Sequence, residues 1–403
     1  MIVFGIAVAV LGLAAASLAL YLAVLAVAAC AYSQDLGHFE PSARITVLVP
    51  AHDEELTLPD AVASLLAQDY PRDRFQVAVI ADNCSDATAA AAADAGADEV
   101  FVRDVPERRG KGHALRWALD QILARDCAPD AIVIVDADTT ADPLLLRGLT
   151  ERFERGDEVV QSYSSLRGRG AGADALRECA YTLMNWVRPA GRTVLGAGAL
   201  LAGNGMLLSA ATLRRRPWDA FSPAEDREYS INLLYDGLKV VFASAARVSS
   251  PTAPPTAAAA QQQRWEGGWM HLARTRLPGL ARDAWSRRMW SLLLMAVDLA
   301  VPPFGLLAAT AIAVLLVTLV GAGLSLWSVW FATPAIVALI CMTVYVFVGL
   351  IAASAPRSAY MALLHAPVFI LKKPLSLRRT MTFDGESWVR TERHTESHRE
   401  ANG

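Results

Sequence analysis

Charge is missing from two long stretches of this 403-residue chain, one from Met1 to Gln34 and one from Leu299 to Pro356. Paired cysteines are missing as well. The five cysteines, at 30, 84, 127, 179 and 341, are odd in number and show no CxxC spacing. That excludes a disulfide framework or a zinc-ligand set and points to reduced thiols in a cytoplasmic setting. No basic run occurs and the net charge is −3, so nothing indicates nucleic acid as a partner.

What fills the uncharged stretches is apolar. A membrane span needs about 20 apolar residues, so the first stretch fits one helix and the second fits two, near 4–30, 300–323 and 329–354. Pro302 and Pro303 kink or start the second helix, because proline lacks the backbone donor that a helix interior uses. The first stretch has no basic n-region and outruns a signal-peptide core, so it reads as an uncleaved anchor. Arg282, Arg287 and Arg288 precede the C-terminal pair, and Arg357, Lys372, Lys373, Arg378 and Arg379 follow it. Both flanks are therefore expected in the cytoplasm under the positive-inside tendency, with the N-terminus outside.

The expected division is an N-terminal transmembrane helix (1–34), a cytoplasmic domain (41–270), interfacial helices (271–298), two transmembrane helices (299–356) and a cytoplasmic interfacial segment and tail (357–403). Such a chain is an integral protein of a bacterial-type plasma membrane, in contact with the lipid bilayer. Its catalytic domain and C-terminus would be cytoplasmic.

Within the middle domain, "RITVLVPAHDEE" (44–55), "FQVAVIADNCSD" (75–86) and "AIVIVDADTT" (131–140) are β-branched runs that end in acidic loops. Helical segments separate them, which predicts a parallel sheet of βαβ units with ligands beyond the carboxyl ends of the strands. Several carboxylates would then share one crevice, an expensive arrangement unless a cation or a ligand's donors pair with them.

Asp136-Ala137-Asp138 lies at a strand end. In an extended segment its two acids would face one way, where a hard divalent ion such as Mg²⁺ is a natural occupant. The plainer alternative is that Asp138 caps the turn before Pro143. Glu225-Asp226 falls where a loop enters a helix, a position acids occupy simply to offset the macrodipole. Gly203-Asn204 belongs to a Gly-Asn-Gly loop that permits close backbone approach to a ligand or makes an ordinary turn. Gln261, Arg264 and Trp265 in "QQQRW" belong either to an interfacial aromatic belt or to a site at the membrane.

Taken in order, "VPAHDEE", "ADNCSDAT", "RGKGHAL", "VDADT", "AGNGM", "SPAEDREYSINLLYDG" and "QQQRW" resemble the family 2 glycosyltransferases of membranes. That group includes cellulose, chitin and hyaluronan synthases and ceramide glucosyltransferase. The resemblance runs over roughly residues 44–270. It implies an α/β, Rossmann-like fold of the GT-A type plus about three transmembrane helices and interfacial helices. It also implies a UDP-sugar donor, Mg²⁺ or Mn²⁺, and inverting transfer.

By the same resemblance, Pro50, Ala51, Glu54 and Asp82 match positions that hold the uridine, and Lys111 matches a basic residue near the nucleotide. Asp136 and Asp138 match the acids that bind the nucleotide sugar and, through the second, the metal. Asp226 matches the general base, beside Glu225, and Gln261, Arg264 and Trp265 match the Q, R and W. The chain departs from the family pattern at Ala224, where Thr or Gly is usual before the acidic pair. "WVRTER" (388–393) looks loosely like a gating segment of some synthases, or is a basic tail.

The expected function is processive synthesis of a β-linked polysaccharide from a UDP-sugar. Alternatives are non-processive glycosylation of a lipid acceptor and a non-catalytic nucleotide-sugar-binding membrane subunit. Three spans give little material for a private channel, and a homo-oligomer would add walls.

Overall fold

β-Branched runs closed by proline, glycine and acidic loops set the alternation of elements, seen here in a computed structural model that describes residues 2–36, 39–168, 172–252 and 255–371. In chain order, α1 (Ile2–Ala29) precedes β1 (Ile45–Ala51), α2 (Leu58–Leu66), β2 (Phe75–Asp82), α3 (Thr88–Asp94), β3 (Glu99–Arg103) and α4 (Lys111–Leu123). Then come β4 (Ala131–Ile134), β5 (Thr140–Ala141), α5 (Leu145–Glu154) and β6 (Val159–Arg167). A helical excursion follows: α6 (Gly172–Thr182), a π-helical turn (Leu183–Val187) and α7 (Arg188–Val194). After it lie β7 (Met206–Ser209), α8 (Ala210–Arg215), α9 (Glu225–Tyr235), β8 (Val241–Pro251) and α10 (Pro255–Arg287). The described chain closes with α11 (Trp290–Ala300), α12 (Phe304–Gly323), α13 (Thr333–Ala352) and α14 (Arg357–Ala362).

These elements form two compact units. One comprises described residues between 33 and 168 and between 198 and 265. It carries a single sheet in the order β3-β2-β1-β4-β7-β6-β8-β5 with helices against it, a Rossmann-like arrangement. Strands β1 to β4 pair in parallel, as the sequence predicts. Beyond β4 the sheet is mixed, and there the expectation of a parallel sheet fails. Met206 pairs with Ile134, so the chain re-enters the sheet at the carboxyl end of β4 and β7 must run back antiparallel. Parallel pairing needs a crossover that returns the chain to the other end.

The core of this unit lies between α2 and the sheet. Leu58, Val62 and Leu65, spaced one helical face apart, are fully buried in one cluster with Val47, Val49, Val77 and Val79. Each such side chain contributes about 1.5–3 kcal/mol on burial.

The other unit comprises described residues 2–32, 172–197 and 266–371. Three of its helices are long and apolar enough to cross a membrane, Val3–Ala29, Phe304–Gly323 and Val329–Ala352. The second begins at Phe304 because the two prolines end the preceding segment, with Pro303 as its N-cap. The α6–α7 excursion packs here, although the sequence places 172–197 within the 41–270 domain. Small residues permit it: a Cβ on Gly191 would lie 2.2 Å from the Leu25 carbonyl oxygen, so α7 rests directly on the α1 backbone. The expected interfacial segment 271–298 is the distal part of α10, which runs through Pro278, followed by most of α11. Lys372, Lys373, Arg378, Arg379 and the "WVRTER" segment lie outside the described residues.

Leu65→Ala removes a fully buried side chain from the core and is expected to lower the unfolding free energy by about 2–5 kcal/mol in denaturant titration of the purified protein. A change below about 0.5 kcal/mol, the range of a surface substitution, would contradict its placement.

Candidate active site

Two loops meet at the carboxyl ends of β1 and β2. Pro50 and Ala51 close β1, and the chain then turns through Asp53 at φ +53°. Asp53 Oδ1 accepts the Ser85 N–H at 2.6 Å and His52 Nδ1 hydrogen-bonds the Asp82 carbonyl at 2.7 Å, so each loop holds the other. Glu54 is buried, with Oε2 accepting from Thr57 Oγ1 at 2.6 Å. Asp82 is also buried and forms an ion pair with buried Arg103, while Asn83 Nδ2 donates to Asp82 Oδ1 at 2.9 Å. Arg103 Nη2 donates to the Arg108 carbonyl at 2.9 Å, which ties the loop before α4 to the same point. Ligand atoms of His52, Asp53 and Cys84 lie within 4.8 Å of one another here.

A second cluster forms where β4, α4, the 202–205 loop and α9 converge. Lys111, on the first turn of α4, donates from Nζ to Asp136 Oδ1 and to the Gly203 carbonyl. Gly203 sits at φ +76°, and a Cβ there would lie 3.3 Å from Asp226 Oδ2. Only glycine takes that conformation readily while leaving Asp226 its place. Asp226 accepts the Arg227 N–H on Oδ1 at 2.8 Å. His113 of α4 stacks on Phe221 at 4.4 Å, joining the Lys111 helix to the loop that leads into Glu225.

The electrostatics follow from crowding. Burial works to lower the Lys111 pKa, but Asp136, Glu225 and Asp226 outweigh it and raise it. Burial and the Asp226 charge push Glu225 up to about 7, against the pull of Lys111. Asp226 is raised too, by burial first, with Arg227 and Lys111 opposing. The positive end of the α9 dipole favours both carboxylates; desolvation wins at each, with the Asp226 charge adding at Glu225 and the Asp136 charge at Asp226. The two acids titrate as a pair.

The acids at the end of β4 are arranged differently from the expected extended pair. The chain turns there, with the Thr139 N–H donating to the Asp136 carbonyl at 3.2 Å. Asp136 and Asp138 are nonetheless both half-buried while Ala137 between them is buried. Asn204, predicted to touch a ligand, directs its amide inward. Its Oδ1 accepts the Asp136 N–H at 3.1 Å and its Nδ2 donates to Thr139 Oγ1 at 2.8 Å and to Ser250 Oγ at 3.3 Å.

Gln161 of β6 completes this clamp. It is fully buried and uses both ends of its amide, accepting the Ala202 N–H at 2.8 Å and donating to the Asn204 carbonyl at 2.8 Å. Sequence inspection passed over it, and the one available signal was a lone amide inside the apolar run "VVQSYSS". The described hydrogen bonds bring together Lys111, Asp136, Gly203 and Asn204, with Glu225 and Asp226 acting on Lys111. Gln261, Arg264 and Trp265 lie early on α10. Gln261 and Arg264 are half-buried there, and Trp265 is 43% exposed.

Residues 41–268, more than half of the chain, match the family described as glycosyltransferase like family 2. The chain belongs to that family. A dolichyl-phosphate beta-glucosyltransferase of Drosophila melanogaster is 35% identical over 89 residues, covering 20% of this chain and 27% of its own length. The probable glycosyltransferase YdaM of Bacillus subtilis (strain 168) is 32% identical over 72 residues, 17% of either protein. The chain thus spans about a quarter or less of the curated relatives it matches.

Among solved structures, the mannosyltransferase PcManGT from Pyrobaculum calidifontis, in complex with GDP-Man and Mn²⁺, aligns with a TM-score of 0.48 at 18% identity, over 82% of this chain and 99% of that one. Glucosyl-3-phosphoglycerate synthase from Mycobacterium tuberculosis, in complex with Mn²⁺, UDP-glucose and phosphoglyceric acid, aligns with a TM-score of 0.40 at 24% identity, over 60% and 84%.

Two outcomes test this geometry. If the Glu225–Asp226 pair must lose a proton for activity, turnover rises with pH through a limb near 7, and Glu225→Gln moves that limb to lower pH by removing the group that burial and the Asp226 charge raise to about 7. A limb unmoved in the variant's pH–rate profile would break the coupling. Gln161→Leu leaves the Ala202 N–H and the Asn204 carbonyl buried without partners, at about 1–3 kcal/mol for each. The expected readout is a lower unfolding midpoint together with a weakened donor KM, and an unchanged value of either would argue against the clamp.

Proposed function

We propose that the chain is a membrane-anchored, inverting glycosyltransferase that moves one sugar from a UDP-sugar to a lipid acceptor. The observation that carries this reading is the single cluster in which a raised-pKa carboxylate pair, Glu225 and Asp226, faces Lys111 and Asp136 across Gly203. Such a cluster offers a proton acceptor on one side and an anion-binding group on the other.

Asp226 takes the proton from the attacking acceptor hydroxyl, a role that contributes about 10²- to 10⁴-fold. Burial keeps the base's proton affinity high, which suits proton transfer near neutral pH. Lys111 stays charged and holds Asp136 in place. The β1 and β2 end loops, through Pro50, Ala51, Glu54 and the Asp82 carboxylate, receive the uridine. Arg264 suits the diphosphate through its planar fork of donors. Gln261 fixes a hydroxyl, and Trp265 offers a flat apolar face to the acceptor.

Asp138 and Asp136 are hard oxygen donors, both half-buried, and so fit a divalent cation completed by substrate phosphates. When bound there, Mg²⁺ or Mn²⁺ neutralises charge on the departing diphosphate.

Anchoring is supported by the helical unit. Only 28%, 33% and 33% of the three candidate spans is buried within the protein, and large apolar side chains such as Leu13, Val320 and Ile340 point outward. An exposed apolar surface of that extent calls for lipid. With Arg282, Arg287, Arg288 and Arg357 at the flanks, the sugar-transfer domain lies in the cytoplasm.

Processive polymerisation, the function expected from the sequence, gives way to single transfer. The Drosophila relative is named for glucosyl transfer involving dolichyl phosphate, and three candidate spans leave little wall for a channel.

Purified protein incubated with a panel of labelled UDP-sugars, membrane lipids and Mg²⁺ or Mn²⁺ should yield a single organic-soluble glycolipid. A high-mass polymer would restore the processive reading. Asp226→Asn should still bind UDP while losing transfer by about 10²-fold or more, and near-normal turnover would remove Asp226 as base.

A further inference from the structure

A polar network lies inside the helical unit, among segments whose own sequences are almost wholly apolar. Arg192 of α7 and Asp298 of α11 are both buried, at 1% and 2% exposure. Arg192 Nη1 donates to the Tyr21 phenol at 2.9 Å and to the Leu294 carbonyl at 3.1 Å, and Tyr21 donates to Asp298 Oδ1 at 3.0 Å. The guanidinium and the carboxylate themselves lie 3.9 Å apart. This accounts for Asp298, whose charge is met by Arg192 and bridged by Tyr21.

Arg188 is not accounted for in the same way. It lies one turn before Arg192 on the same face of α7. Its Nε donates to the Tyr345 phenol at 3.3 Å, and that phenol donates to the Leu183 carbonyl at 2.9 Å. No described residue accepts from its two terminal nitrogens. Asp298 is the acid whose charge bears on Arg188, and it is already shared by Arg192 and Tyr21. Among the described residues two guanidinium groups thus face one carboxylate, leaving one positive charge in excess. Ionisable groups set among membrane helices are costly, and where they occur they pair with each other or with a passing ligand.

Three features define what would balance that charge. A guanidinium with two free donors in one plane matches two oxygens of a phosphate. The helices against which this segment packs, α1 and α13, expose apolar side chains such as Val24, Phe347 and Ile351, and such surfaces favour a hydrocarbon tail over a free ion. The site is also built. Arg188 follows directly on the π-helical turn 183–187, whose first carbonyl, that of Leu183, accepts both the Arg188 N–H and the Tyr345 hydroxyl. Single π turns recur at ligand sites because they re-aim the side chains that follow.

We infer that Arg188, with Arg192 behind it, is a binding site for the phosphate head of a lipid. The inference rests on the reading that this unit is set in a bilayer. The same chemistry is offered by a prenyl monophosphate and by a phospholipid headgroup.

The test uses the full chain in detergent, with farnesyl phosphate, farnesol and phosphatidylglycerol as probes and binding read by native mass spectrometry. Farnesyl phosphate, phosphatidylglycerol or both should bind at least tenfold more tightly than farnesol. Arg188→Gln should bring the phosphate-bearing probes down to the farnesol level, and Arg188→Lys should fall between. Whichever probe shows that dependence identifies the source of the phosphate. The unfolding midpoint of the full chain in the same detergent reports that a variant is folded.

Farnesol binding equal to that of both phosphate lipids, or full retention by Arg188→Gln, overturns the site. A glycolipid product with no Arg188-dependent lipid binding overturns this inference alone. Arg188-dependent binding with no glycolipid product overturns only the proposed acceptor.

Discussion

One ammonium group holds the catalytic face of the sheet together. Lys111 is the cation among Asp136, Glu225 and Asp226, and the last two belong to a helix more than a hundred residues further along the chain. Three carboxylates at close range would repel and take up protons. With Lys111 in place, Asp136 is held in an ion pair, while burial raises the proton affinity of Glu225 and Asp226. The cluster therefore separates into a charged half at the end of β4 and a proton-accepting half at the start of α9. In the proposed function, that division gives acid–base work to one side and anion handling to the other.

The spacing between the halves is held by buried and half-buried groups. Gln161, Asn204, Thr139 and Ser250 join β6, the 202–205 loop, the turn after β4 and β8 in one buried network. A fully satisfied polar network in a low-dielectric interior is rigid, because any shift leaves a donor or acceptor unpaired. Gly203 rides on that network with its carbonyl toward Lys111 and its Cα toward Asp226. The loop is thus a fixed spacer in which the missing side chain of Gly203 makes room for Asp226.

Much of this was legible beforehand, because it rests on local chemistry. β-Branched runs ending in acids located β1, β2 and β4, and the charge-free stretches located α1, α12 and α13 to within a few residues. The motif residues Lys111, Asp136, Gly203, Glu225 and Asp226 do converge. Pairing between distant segments was not legible. The antiparallel entry of β7 depends on which end of β4 the chain returns to, and no periodicity records that. Asp82 reads as one of several acids sharing a crevice at the strand ends, and its ion-pair partner Arg103, on the next strand, is not marked by any motif. Asn204 reads as a ligand contact in a glycine loop, yet its amide is consumed inside.

The helical unit shows the same limit more sharply. The 299–356 stretch contains no charge, and hydropathy along it gives no sign of an ionisable group within the helices. The charges enter from the side. Asp298 stands one residue before the stretch begins, and Arg188 and Arg192 come from the excursion between β6 and β7, which reads as part of the sheet domain. Gly191 permits this by letting α7 lie on the α1 backbone, so that a helix not apolar enough to span carries two guanidinium groups among helices that are. Hydropathy judges each segment alone, whereas the cost of a buried charge is decided by the segments around it.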